Sequence, residues 1–199
     1  MILRLFTAVA AVEVVAVAAD WTVVQWLTKP LLGPLLILWM IRCGRRDAVT
    51  VALVFATAGD VALLVPGQAA FLTGMGFFLG AQLCFIAAFR PLRARYSVPY
   101  GLLWVLANIL LWDRLGALAV PVLIYSLALT TMAAAAAGVS RRVALGGLLF
   151  LVSDLLIGLG AAGLRPPAHG VLVMTTYAAA LFLLTTGWVR RRRPLGNPR

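Results

Sequence analysis

The chain has 199 residues, of which 63% are hydrophobic and only 12% charged, with a mean hydropathy of +1.03. Soluble domains are nearer half apolar and a quarter charged, so there is too little polar surface to cover a soluble particle, and a soluble enzyme is excluded. The net charge of +11 arises from seventeen basic residues, all but Lys29 arginine, against six acidic ones.

At roughly 20 residues per membrane-spanning helix, the length accommodates about eight spans and almost no other domain. Charges and prolines cut the chain into eight apolar segments, and the residues that interrupt their oiliness are few. Segment 3–19 holds Glu13, 21–41 holds Lys29-Pro30, 48–65 holds Gly59-Asp60, and 68–89 holds Gln82. Segment 97–112 holds Asn108, 115–137 holds Pro121 and Ala133–Ala137, 143–163 holds Ser153-Asp154, and 168–189 holds Tyr177. The connections are short, among them Asp113-Arg114 between the fifth and sixth segments. A membrane barrel would alternate apolar and polar residues over about ten positions. Runs such as Leu31–Ile41 are apolar all round instead, which predicts helices. Arg4, an apolar run and Ala16-Val17-Ala18-Ala19 imitate a secretion signal. Glu13 within that run, with no soluble domain to export, argues for a first helix.

Alternate connections carry Arg42, Arg45 and Arg46; Arg90, Arg93 and Arg95; Arg141 and Arg142; and Arg190 to Arg193. With Arg4 and Arg199, fourteen of the seventeen basic residues fall on one side, against Arg114 and Arg165 on the other. Basic residues concentrate in cytoplasmic loops, so both termini are expected in the cytoplasm. The expected protein is a single eight-helix, all-α, multi-pass domain over 1–199, with a basic cytoplasmic tail at 190–199, in the cell membrane. Its charge then needs no nucleic acid, although anionic lipid headgroups suit the same arginines. Leu53-Val54-Phe55 before Gly59-Asp60 and Leu148-Leu149-Phe150 before Ser153-Asp154 hint at a weak 4+4 parallel repeat.

An ionisable group within a span is costly and marks a functional site by default. Lys29 and Asp60 each stand 13 residues from the cytoplasmic charge at the end of their segment, as do Tyr177 and Asn108, and Asp154 stands 12 away. At 1.5 Å per residue, all five lie about 18–20 Å from the cytoplasmic edge. Glu13 lies nearer the centre, as a partner for Lys29 or snorkelling to water. Gln82 reads as a packing or hydrogen-bonding residue, and His169 as a wetted residue at the outer mouth of the last span. Cys43 and Cys84 have no paired spacing and read as apolar fillers. A catalytic zinc needs about three ligands, and one histidine with two cysteines argues against it; no metal and no cofactor are expected. Ser153 lacks a GxSxG setting. Two carboxylates with a lysine nearby remain, as an acid–base site or as structural glue.

Thr28-Lys29-Pro30-Leu31-Leu32, Gly59-Asp60-Val61-Ala62-Leu63-Leu64, Phe71-Leu72-Thr73-Gly74-Met75-Gly76-Phe77-Phe78, Tyr125-Ser126, Gly147 to Asp154 and Met174-Thr175-Thr176-Tyr177 occur in that order. The set resembles the YhhN family of lysoplasmalogenases from about Thr28 to Trp188. The resemblance implies an eight-helix membrane enzyme that hydrolyses the vinyl ether bond of lysoplasmalogen to a fatty aldehyde and glycerophosphoethanolamine or glycerophosphocholine. It also implies Asp60 and Asp154 as the catalytic pair, with a lysophospholipid as substrate and membrane lipids as surroundings. Lys29, Asn108, Tyr177, Glu13 and Gln82 are then the supporting residues. Members usually carry His where this chain has Gln82, and often Gln where it has Ala180.

Vinyl ether hydrolysis begins with proton transfer to carbon, giving an oxocarbenium ion that water captures. One aspartate must hold a proton and the other stay anionic, as in the carboxylate pairs of glycosidases. Desolvation and a neighbouring carboxylate favour the neutral form of one member, and Lys29 would keep the other charged. Which is acid and which is base stays open. An intramembrane aspartyl protease is disfavoured by Ala58, where its signature has glycine. The main alternative is a proton- or cation-coupled small-molecule transporter, with Pro30 and Pro121 as helix breaks. Oligomeric state is not legible.

Overall fold

The computed structural model describes residues 1–191, and those residues form helices and short connections only. In chain order these are α1 (Ile2–Ala18), α2 (Thr22–Arg42), α3 (Ala48–Leu64), α4 (Gln68–Phe89), α5 (Ala94–Leu115), α6 (Ala119–Ala137), α7 (Arg141–Ala161) and α8 (His169–Arg191). A single 3-10 turn, Gly116–Leu118, joins α5 to α6. Five stretches are long and apolar enough to cross a membrane: Thr22–Arg42, Gln68–Phe89, Ala94–Ala137, Arg141–Ala161 and His169–Arg191. With the shorter apolar helix Ala48–Leu64, they make this a multi-pass membrane protein.

Two local expectations are corrected. Asp113-Arg114 is not a connection: α5 continues through both to Leu115, and the chain turns at Gly116, whose φ is +52°. Charged residues merely flank a helix, whereas a residue in the left-handed region ends one. The prolines do not break helices. Pro30 and Pro34 leave α2 continuous, and Pro121 is the third residue of α6, where its missing amide has no intrahelical acceptor to lose. Arg190 and Arg191, the first residues of the basic segment, complete α8; the rest of that segment, 192–199, lies outside the described residues.

Polar side chains set two helix starts. The Asp47 carboxylate accepts from the Val49 amide at 3.1 Å and from Trp188 Nε1 at 2.8 Å. It therefore caps α3 and ties that helix to α8. Ser140 caps α7 by accepting from the Val143 amide at 3.3 Å.

Successive helices pack from α1 to α4 and from α5 to α8, while α4 packs on α6 and α8 returns to α1. Seven helices thus close into a ring, and α5 lies outside it against α6. Along α5 the side chains of Leu102, Ile109 and Leu110 are 67%, 69% and 66% exposed. Such a stripe is an aggregation hazard in water and the expected surface in hydrocarbon. Asp60 and Asp154 both lie on the third helix of a four-helix half, although the two halves close differently, one through α4·α6 and the other through α8·α1.

Between α6 and α7 the backbones approach closely. A Cβ on Gly147 would stand 2.6 Å from the Ala136 Cβ and 3.4 Å from the Ala133 Cα. Neither neighbour has a rotamer to change, so the helices would have to part. Gly147→Ala is expected to destabilise the fold by about 1–3 kcal/mol, read as a lowered Tm in detergent. Gly101→Ala, where the added methyl meets open space, should leave Tm unchanged or raise it.

Candidate active site

Asp60 lies one turn before the end of α3 and is 1% exposed. Its neighbour Gly59 explains part of its setting. A Cβ there would fall 2.8 Å from the Phe78 ring, so the absence of a side chain lets Phe78 of α4 approach α3 closely. Phe78 and Phe150 of α7 both meet the Tyr177 ring edge-on, with centroids 5.8 Å away in each case. Held between them, the Tyr177 hydroxyl of α8 donates to Asp60 Oδ2 at 2.7 Å.

Asp154 has a parallel arrangement. Tyr125 of α6 donates its hydroxyl to Asp154 Oδ2, and Gln82 Nε2 of α4 donates to the same oxygen at 3.4 Å. Among the described residues, neither aspartate has a protein hydrogen bond at Oδ1. The two carboxyls lie within electrostatic reach of each other, so the charge on one bears on the other. Four helices outside α3 and α7 therefore supply the groups that hold them: α4, α6, α8 and, through Lys29, α2.

Lys29 is half-buried and acts on Asp60 and Glu13 through space, without a direct ion pair among the described residues. Glu13 of α1 is fully buried and accepts from Thr28 Oγ1 at 2.5 Å, and its Oε1 has no partner. Asn108 of α5 is hydrogen-bonded to neither aspartate. Its Nδ2 donates to the Trp104 carbonyl at 2.8 Å and to Ser126 Oγ at 3.2 Å, which ties α5 to α6.

A narrow cleft of about 90 Å³ opens between α4, α5, α6 and α7. Its wall is apolar, with Phe71, Met75, Leu103, Leu111 and Leu155 among the lining residues. Its polar exceptions are Asp154, Tyr125, Asn108, Ser126 and Thr130. Asp154 lines the cleft, and Asp60 is not part of its lining. Sequence reasoning left Tyr125 out of the site. The signal was present, as a phenol within an apolar helix and half of the Tyr125-Ser126 pair. Its 16-residue separation from Arg141, however, sets it apart from the residues found by counting depth.

The chain matches the YhhN family over residues 24–188. It is 35% identical over 153 residues to a protein named Lysoplasmalogenase from Mycobacterium bovis (strain ATCC BAA-935 / AF2122/97), covering 69% of this chain and 58% of that one. The corresponding protein of Mycobacterium tuberculosis (strain CDC 1551 / Oshkosh) gives the same figures. Lysoplasmalogenase TMEM86A of Bos taurus is 31% identical over 165 residues, covering 76% of this chain and 69% of that protein. The chain thus spans a little over half the length of the mycobacterial relatives. No solved structure matches it significantly.

Proposed function

The chain belongs to the YhhN family, and from that premise we propose that it hydrolyses the vinyl ether bond of a lysoplasmalogen. The products are a fatty aldehyde and glycerophosphoethanolamine or glycerophosphocholine. The observation that carries the reading is the pair of buried carboxyls on α3 and α7. Each has one oxygen held by a tyrosine and one without a partner among the described residues, and Asp154 faces an apolar cleft. Lysoplasmalogenase is also the name borne by the mycobacterial and bovine relatives.

In this reading the alkenyl chain lies in the cleft with its double bond at Asp154. A proton passes from Asp154 Oδ1 to the alkenyl carbon distal to the ether oxygen, leaving an oxocarbenium ion at the carbon that bears it. Asp60, kept anionic by the Lys29 charge, stabilises that cation across the pair. Water adds to the cationic carbon and gives up a proton to a carboxylate. The hemiacetal then collapses to aldehyde and free glycerol hydroxyl, so one water is consumed and no proton is lost. Charge that develops in a dry site is stabilised best by groups already in place, which is the part played by the two tyrosines. We place all eight helices across the cell membrane, with both termini cytoplasmic.

Purified protein should release aldehyde from a lysoplasmalogen and none from its saturated-ether analogue. Absence of aldehyde from the vinyl ether would overturn the reading. Tyr125→Phe and Tyr177→Phe each remove one hydrogen bond to a carboxyl, a loss of about 1.5–3 kcal/mol. Each is expected to lower kcat by about 10- to 100-fold with the protein still folded, measured as the initial rate of aldehyde release.

A further inference from the structure

At one end of the bundle, the connections α1–α2, α3–α4, α5–α6 and α7–α8 surround a second, more polar cavity. We propose that this cup binds the phosphodiester of a lysophospholipid headgroup, with Arg165 as its main cation. The inference rests on the hydrolase reading and adds to it the place where the substrate's anionic end is held.

The lining carries the charge an anion needs. Lys29, Arg165 and His169 face the cavity with Gln25 and Gln68, and among the described residues no carboxylate belongs to the wall. A bare point on α7 brings two of these groups together. A Cβ on Gly160 would lie 2.9 Å from His169 Nε2 and 3.9 Å from Arg165 Nε, so both side chains lie over the space that glycine leaves. His169 Nδ1 is buried and has no hydrogen-bond partner, an orphan that asks for a polar group. His169 and Gly170 also open α8 and line the cavity, so the positive end of the helix dipole lies at its wall.

Continuity with the apolar cleft identifies the kind of anion. Leu63, Phe71 and Ile157 line both spaces, so the cup and the cleft meet along a shared wall. A ligand filling both has an anionic head and one apolar chain. Leu63 follows Asp60 by three residues on α3, and Ile157 follows Asp154 by three on α7. Residues three apart share a helix face. The junction of head and chain, where a vinyl ether lies, is therefore at the level of the two carboxyls.

The test compares wild type with Arg165→Gln, a change at an exposed connection residue, on lysoplasmalogen and on the phosphate-free 1-alkenylglycerol. The expected result is a KM for lysoplasmalogen at least tenfold higher, a kcat within twofold, and unchanged constants for the alkenylglycerol. Equal effects on both substrates, or none, overturn the proposal while leaving the hydrolase reading intact. A second arm needs no turnover. Calorimetric binding of a saturated-ether lysophospholipid and of the matching alkylglycerol should favour the phosphorylated ligand in wild type. Arg165→Gln should abolish that preference, and Arg165→Lys should retain part of it. A wild type without the preference, or a preference unaltered by Arg165→Gln, overturns the headgroup site. Glycerol 3-phosphate as competitor separates a lipid-borne phosphate from a free one, since a lipid headgroup site should prefer the lysophospholipid by at least tenfold.

Discussion

In Asp154→Asn, aldehyde release from lysoplasmalogen is expected to fall by about three orders of magnitude, the middle of the range that a general acid contributes. The substitution isolates chemistry from architecture. Asparagine has the shape of aspartate, and its carbonyl oxygen can still accept the Tyr125 hydroxyl now bonded to Asp154 Oδ2. What it lacks is a proton acidic enough to give to carbon. Transfer to carbon is slow without a positioned acid, and the surrounding wall of Phe71, Met75, Leu103 and Leu155 offers no substitute. The variant should be recovered from membranes at wild-type yield, with Tm within a few degrees. Near-normal turnover measured by aldehyde formation would remove Asp154 from the reaction.

Asp60→Asn is expected to cost about 10²- to 10³-fold in kcat, with a smaller change in KM. Asp60 is absent from the cleft lining, so in the proposed mechanism its contribution is the negative charge it presents as the oxocarbenium ion forms. Between opposite charges in a poorly solvated site, such an interaction is far stronger than in water. Asparagine keeps a hydrogen bond from Tyr177 but cannot supply the charge. Residues that act as one unit show losses that do not multiply. The Asp60→Asn/Asp154→Asn double variant should therefore be no slower than the worse single one. A multiplicative loss would mean that the two carboxyls serve separate steps.

Much of this architecture can be read directly from the chain because the helices of a membrane protein are written in local composition. The segments 48–65 and 68–89 differ from α3 and α4 by at most one residue. Segment 97–112 is three residues short at each end of α5, because charged residues do not stop a helix; at the C-terminal end the stop is the conformation of Gly116. The aspartates were conspicuous for a thermodynamic reason, as carboxyls where hydrocarbon disfavours them. Their partners were less so. Gln82 reaches Asp154 across 72 residues of sequence, and its count of eight residues from Arg90 did not match that of Asp154. Depth counting places a residue along its own helix and carries nothing about which face meets which neighbour. Asn108 shows the limit from the other side, because it shares the counted depth yet bonds to Ser126 and Trp104. The exclusion of α5 from the ring is likewise a property of how whole helices pack, with no local signature beyond its apolar outward stripe.

That outlying helix bears on how a hydrolase of this kind would meet its lipid. The outer wall of the cleft is partly α5, whose main partner is α6, and beyond it is the bilayer rather than water. A substrate that arrives sideways between α5 and its neighbours keeps its chain in hydrocarbon throughout. Withdrawing a dozen methylenes into water would instead cost about 10 kcal/mol, at about 0.8 kcal/mol for each. Substrate supply for such an enzyme is then a two-dimensional quantity. Its working saturation is set by the lipid's mole fraction among its neighbours in the leaflet, and lateral diffusion, not partitioning from solution, governs how often the cleft is filled.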